Sequence, residues 1–435
     1  MIEEKLLKKF EKRYNEDEKN SVIENAISNV GIDSSSIKQE VIRKHNFVFS
    51  DETERGEITN QKRSGRCWMF SGMNVLRVIT MKKLKLESFE FSQAYIQFYD
   101  KIEKANTYLQ YVIETKDLDI MDRLVTHIIH NPTEDGGYWN FFSGLVQKYG
   151  LVPKKCMPET YHSSNTTVFN EMLELRLKRA AVAIRNAKSN KEIEKIRENA
   201  LYEVYNICVK ALGKPPKTID FEYRDKDKKY NKITGMKANK FLSKYVGINL
   251  EDKIQIVDDP REEYEKGRVY RVPYTCSVLE YGASSYLNVT MEELKKATIK
   301  SLKDGVPVWF GCDVGKDSDR KLGIMDTELF DYDKTLTSLG EFSKKDRLLT
   351  SASNLTHAMT FVGVDLDKDG NPINWKVENS WGEECGKKGI FSMSDKWFEE
   401  HNYEVVVDKK YISKEFLKGL EKEEIELEYY NYYLG

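Results

Sequence analysis

Cysteine and histidine are scarce in this chain, six of each among 435 residues, and proline occurs only nine times. The cysteines, at positions 67, 156, 208, 276, 312 and 385, are far apart and form no C-x-x-C pair. That excludes a small disulfide framework and a zinc ribbon, and leaves most of them as plain buried thiols. Charge of one sign is lacking too. The 69 Lys+Arg stand against 71 Asp+Glu, a formal net charge of −2. Such a balance gives no global field for nucleic acid, although a local patch stays open. No run of about 18 apolar residues exists, so nothing reads as a membrane span. Residues 1–17 are charged and lack the apolar stretch of a signal peptide. There is no collagen period, low-complexity run or internal repeat. These absences lead us to expect a soluble, cytoplasmic protein with no membrane partner.

What is present is enough apolar and aromatic material, 40% and 11%, to rule out disorder and to bury a core without staples. The length suits about three domains or one elaborate domain. Residues 1–50 open with a polar helix carrying Leu6, Leu7 and Phe10 on one face. Residues 51–63 are turn-like, and residues 67–84 are apolar nearly all round, which predicts a buried helix. Residues 85–130 and 165–210 read as largely helical, with a loop over 131–140 between them. Residues 221–232 suit a solvated hairpin, and 290–303 a helix with Thr290 and Glu293 as a capping box. From Val306 onward, short β-like runs separated by turns take over. Residues 414–435 read as an acidic, helix-like piece ending in YYNYYLG.

The string QKRSGRCWMF places Cys67 at the start of the buried helix, after a glycine turn. Unpaired N–H groups and the positive end of the helix dipole favour a thiolate there. The same N–H groups can hold an oxyanion, with Gln61 a turn-length earlier as a side-chain donor. His357 opens the run HAMTFVGVD, where an imidazole can point into a cleft. Asn379, in WKVENSWG, can accept an imidazole N–H and fix its tautomer, and Trp381 can shield that hydrogen bond from water. Taken singly, each residue is as well explained by structure. The order Cys, His, Asn, each in its own aromatic-flanked string, points to nucleophilic catalysis.

These strings resemble the papain superfamily of cysteine peptidases, and within it the bleomycin hydrolase and bacterial aminopeptidase C family. DGGYWNFFSGLVQKYGLVPK, LGKPPKTIDFEYRDKDKKY, EELKKATIKSLKDGVPVWFGCDVGK and WKVENSWGEECGKKGIFSMSDKWFEE also match, so the likeness runs from about residue 10 to about residue 415. The resemblance implies an α+β, papain-like fold, with a helical half and a β-barrel-like half enlarged by helical and hook-like insertions. Its expected divisions are an N-terminal helical segment (1–50), the helical half with the nucleophile (51–155), an inserted helical and arm region (156–300), the β-rich half (301–413) and a C-terminal arm (414–435). It implies Cys67 as nucleophile, His357 as general base and acid, Asn379 as orienting residue and Gln61 as oxyanion donor. Gly136 and Gly137 resemble the pair lining the family's substrate groove, with Trp381 and the terminal Gly435 as further substrate-binding candidates. No metal or organic cofactor is implied. The partners implied are peptide substrates and further copies of the chain, as a homohexamer.

Secreted relatives carry cysteines beside the nucleophile and beside the glycine pair. This chain has Ser64 and Asp135 there, and a glycosylation sequon at Asn354 just before His357, all of which favour the cytosolic branch. The family's C-terminal arm lies in the groove and makes the enzyme an aminopeptidase. Here the tail departs from the family's usual ending, so cysteine endopeptidase and Cys-His-Asn amidase or acyl transferase stay open as alternatives.

Other patterns carry less. The run from Asp365 to Gly370 copies the start of an EF-hand loop, but Lys376 stands where a glutamate is needed and Pro372 interrupts it. The loop 382–388 lacks the spacing and the Ser/Thr of a phosphate loop. His127 and His130 have no third ligand in view, and Asp225 and Asp227 dilute the basic run at 224–232.

Overall fold

A computed structural model of the chain describes residues 2–130 and 132–430. Two layers of structure meet along one helix, Cys67–Leu84, whose apolar surface on all sides requires a partner on all sides. On one side pack Gln93–Glu114, Trp139–Tyr149 and the long antiparallel pair Thr167–Asn186 and Asn190–Leu212, sharing one core. On the other side lies a 12-stranded mixed sheet. Trp309, Ala358 and Val406 of that sheet enter the helical core and seal the seam. Hydrogen bonds cross it as well: Ser71 Oγ donates to the Met359 carbonyl at 2.6 Å, and Trp309 Nε1 to the Trp68 carbonyl at 3.0 Å.

The centre of the sheet runs Lys253–Val257, Asn402–Asp408, Val308–Cys312, His357–Leu366, Pro372–Glu378, Ile390–Ser394. The β-like runs read after Val306 are strands here, among them Val308–Cys312, His357–Leu366, Pro372–Glu378 and Ile390–Ser394. His357 lies opposite Cys312 on one neighbour, and Thr360 opposite Glu378 on the other. The sheet's second core, under Phe310, Phe361, Trp375 and Phe398, fixes which face each strand turns inward. Between residues 156 and 300 the chain does more than add helices and an arm. Lys253–Val257, Arg268–Arg271 and Ser285–Asn288 extend the same sheet that carries His357.

The expected hairpin is present as Ile219–Arg224 and Tyr230–Met236. Thr290 caps the helix Met291–Lys303 by accepting from Glu293 N–H, but the Glu293 carboxylate accepts from Ser413 N–H instead of closing the box. The acidic tail is a correction to the helix-like reading. After the short turns Lys414–Leu417 and Lys418–Glu421 the chain is extended, and Ile425–Glu426 pairs with Tyr270 and Arg271. Ile425 and Leu427 alternate with glutamates at 424, 426 and 428, a period of two that suits an edge strand and crowds like charge in a helix. Leu427 packs with Val272 and Tyr286, while Arg271 takes the Glu426 carboxylate.

Candidate active site

Cys67 is the first residue of its helix, and no side chain caps that end. The turn before it is held by Arg66, which is fully buried. Its guanidinium forks onto Glu159 at 3.1 and 2.8 Å and reaches Gln97 and Ser64. The half-buried Cys67 sulfur meets the Trp68 N–H, the Ala358 N–H and the His357 ring. Burial opposes its ionisation, but the imidazolium and these N–H groups outweigh burial and bring the thiol below its usual 9.0.

His357 is held from the far side. Its Nε2 is 2.9 Å from Asn379 Oδ1, and that same oxygen accepts from Ser380 N–H at 2.7 Å. The second bond fixes which end of the amide faces the ring, so His357 Nε2 carries a proton and Nδ1 is left to the sulfur. Burial disfavours the imidazolium, yet the Cys67 thiolate and Asn379 more than compensate and raise its pKa above 6.5. Asn379 is itself anchored through the preceding residue, Glu378, whose buried carboxylate pairs with Arg77 of the Cys67 helix at 2.5 Å.

Gln61 is placed by Ser380, which donates to its Oε1 at 2.7 Å and accepts from its N–H at 2.8 Å. Its Nε2 gives one proton to the Ser64 carbonyl at 2.6 Å and keeps the other. Trp381 lies 4.7 Å from the His357 ring, behind the imidazole rather than on the cavity wall. The cavity itself encloses about 940 Å³, and Gln61, Cys67, Gly136, Gly137 and His357 all line it. A Cβ on Gly137 would come within 2.5 Å of the Trp68 ring, whereas one on Gly136 would meet only the Glu134 carboxylate, at an ordinary contact distance of 3.9 Å. Gly435 lies outside the described residues.

The structure adds residues that no motif marked. Lys101 and Lys104, one turn apart on Gln93–Glu114, are buried and donate to the carbonyls of 133, 134 and 136. The two histidines set aside above, His127 and His130, line the cavity together with Glu134. Tyr429 and Tyr430 of the tail line it as well, Tyr429 5.4 Å from the His127 ring and Tyr430 beneath Arg123 at 4.9 Å.

A family model described as the Peptidase C1-like family matches residues 1–432. The chain belongs to that family. It is 40% identical over 423 residues to aminopeptidase C of Listeria innocua serovar 6a, covering 97% of this chain and 96% of that protein. It is 41% identical over 393 residues to human bleomycin hydrolase, covering 88% of this chain and 86% of the human one. Among solved structures, PepW from a Lactobacillus superposes with a TM-score of 0.97 at 37% identity, covering 99% of this chain and 98% of that one. The fold is thus α+β and papain-like, as the motifs implied.

Proposed function

We propose that this protein is a thiol aminopeptidase, removing N-terminal residues from peptides through a Cys67 thioester. The observation that carries the reading is His357 fixed between Asn379 and Cys67, with both partners favouring the ion pair. The names of the relatives, aminopeptidase C and bleomycin hydrolase, support the same activity.

In this reading the Cys67 thiolate attacks the scissile carbonyl carbon. The oxyanion forms beside the Cys67 N–H and the free N–H of Gln61 Nε2. His357 Nδ1 gives its proton to the leaving amine, and the C–N bond breaks to leave an acyl-enzyme. A water molecule then passes its proton to His357 and attacks the thioester, releasing the residue as an acid and restoring the thiolate. The backbone of the acyl portion lies along Gly136 and Gly137. Trp381 shields the His357–Asn379 bond from water and so acts by positioning.

The aminopeptidase limit comes from the tail. Tyr429 and Tyr430 line the cavity, and in this reading they shorten the groove on the side of the acyl residue. This favours exopeptidase over endopeptidase action, and water over a bulky acceptor. A cytoplasmic location and a homohexamer belong to the same proposal. The first is supported by Ser64 and Asp135 at the positions read above. The second is supported by Leu6, Leu7 and Phe10, which stay exposed on Glu4–Asn15 for a second copy to cover.

The test uses aminoacyl fluorogenic substrates with free and with blocked amines, with and without a thiol-directed epoxide. Cleavage of the free-amine substrates alone, abolished by the epoxide and by Cys67→Ala, is expected. Equal cleavage of blocked substrates would make the protein an endopeptidase, and full activity of Cys67→Ala would remove the assignment. Analytical ultracentrifugation reads the oligomer directly.

A further inference from the structure

Beyond Trp381, off the cavity wall that the tail and His357 line, stands a cation that the reaction above does not use. Arg320 lays its guanidinium over the Trp381 ring, 4.4 Å from the ring centre, and its Nε donates to Cys385 Sγ at 3.2 Å. Trp381 in turn covers His357 at 4.7 Å, so the guanidinium carbon is at most about 9 Å from the imidazole centre. Its charge reaches that far, opposing the imidazolium. Glu384 shares this rim and feels both Arg320 and Lys62, but it is held by Asn60 Nδ2 at 3.1 Å. Among the described residues, no carboxylate pairs with the Arg320 guanidinium. The side chain is therefore oriented by stacking and by one Nε contact, on a residue that is exposed.

We propose that Arg320 is a specificity-determining residue on the leaving-group side of the cleft. It would select peptides carrying a carboxylate on the residue that follows the scissile bond. The inference rests on the roles given above to Cys67 and His357. Gly136, Gly137, Tyr429 and Tyr430 line the cavity that takes the acyl residue, and neither Trp381 nor Arg320 belongs to that wall. The leaving nitrogen must approach His357 to receive its proton. The chain beyond that nitrogen then has to run past the Trp381 side, where Arg320 stands. The α-carboxylate of a dipeptide begins two bonds from the leaving nitrogen, and an aspartate side chain carries its own only slightly farther. Both fall within the span from His357 to the guanidinium. A stacked guanidinium offers a planar, preoriented fork to a carboxylate, which a flexible ammonium does not. At an exposed site such a pair is worth a few-fold, and salt weakens it.

The experiment compares kcat/KM for alanyl-alanine, alanyl-alanine amide and alanyl-aspartic acid α-amide, which keeps its side-chain carboxylate, in wild type, Arg320→Gln and Arg320→Lys, at low and high salt. We expect wild type to prefer alanyl-alanine to its amide by about threefold to tenfold, mainly through KM. In Arg320→Gln that ratio should fall to near one, and in Arg320→Lys it should be partly restored. A preference for the aspartic acid α-amide over the alanyl amide, lost in the same variant, would assign recognition to side-chain carboxylates as well. An acid-to-amide ratio equal in wild type and Arg320→Gln would overturn the proposal. So would a fall of the same size for all three substrates, which would place Arg320 in the support of Trp381 and His357. Free-amine hydrolysis that survives Cys67→Ala would instead remove the parent reading, and this inference with it.

Discussion

The Lys101 ammonium lies 2.8 Å from Asp135 Oδ1, and the other oxygen of that carboxylate accepts from the Gly65 N–H at 3.1 Å and from Thr166 Oγ1 at 2.5 Å. One buried ion pair therefore ties together the helical core, the turn before Cys67 and the loop of Gly136 and Gly137. Trp68 adds a further tie, its Nε1 donating to the Asp135 carbonyl at 2.8 Å. Lys104, a turn farther along, reaches the Gly136 carbonyl at 2.6 Å and Asp100 at 3.2 Å. All six cysteines are free, so this charge network, not a covalent bridge, fastens the glycine loop.

Replacing Lys101 by Met should destabilise the protein by about 3 kcal/mol, because it leaves Asp135 charged and largely enclosed. Urea denaturation measures this. With the glycine loop loosened, KM should rise more than kcat falls. The pH dependence follows from Asp135. Burial opposes its charge, but Lys101 and the hydrogen bonds hold its carboxyl well below the usual 3.8. Its stabilisation is thus complete above the unfolded value and is lost as pH falls through the folded one. Acid unfolding of wild type should be steeper below about pH 4 than that of Lys101→Met.

The sequence made some of this arrangement legible and hid the rest. Residues 67–84 are apolar nearly all round, and such a pattern admits little but a buried helix. Cys67, His357 and Asn379 each sit in a local string whose chemistry can be read without a partner. Lys101 and Lys104 cannot be read that way. In QFYDKIEKAN they resemble the solvated face of an amphipathic helix, and what buries them is a loop some thirty residues later. Strand pairing by Lys253–Val257, Arg268–Arg271 and Ser285–Asn288 is likewise set by distant partners. The tail did carry a local signal. Alternation of Ile425 and Leu427 with glutamates marks a strand, but the density of acidic residues pointed the other way.

The opposite shifts of Cys67 and His357 set the pH profile of kcat/KM. Burial resists both charges. The mutual attraction then brings the thiol below 9.0 and lifts the imidazolium above 6.5. Activity should rise with pH as the thiolate forms and fall as the imidazolium loses the proton meant for the leaving amine. The two limbs belong to the pair, not to either residue alone. In Cys67→Ala, His357 loses the strongest influence favouring its charge. Its titration, followed by NMR, should move to lower pH than in wild type. A titration unmoved by that substitution would contradict the ion pair.

Glu404 is fully buried in the strand Asn402–Asp408, with Gln255 as its side-chain donor. Burial pushes its carboxyl up to about 8, and the Gln255 hydrogen bond only partly opposes this. A carboxyl raised on folding stabilises fully below its unfolded value, so stability should decline as pH rises from about 4.5 to about 8. The slope is worth at most about 4 to 5 kcal/mol. Glu404→Gln keeps the shape and removes the ionisation. Its stability should stay flat across that range, and the two proteins should differ most at the alkaline end. Equal slopes in thermal unfolding would show that Glu404 is ionised at neutral pH.

The tail offers the sharpest test of the exopeptidase limit. Tyr429 packs 5.4 Å from His127 and 6.3 Å from Tyr274, and Arg123 lies over Tyr430, so the arm is fastened to the same wall that it blocks. Aromatic pairs of this kind contribute about 0.5 to 1.5 kcal/mol each beyond the area they bury. Removing residues 429–435 should therefore open that end of the groove. Hydrolysis of N-blocked peptides should rise by an order of magnitude relative to free-amine substrates, because longer acyl portions then fit beside Gly136 and Gly137. Tyr429→Ala should give a smaller shift in the same direction, since it weakens one anchor and leaves the chain in place. If the ratio of blocked to free-amine hydrolysis is the same in all three proteins, the arm does not set the specificity, and the restriction must come from the cavity wall around His127 and Glu134.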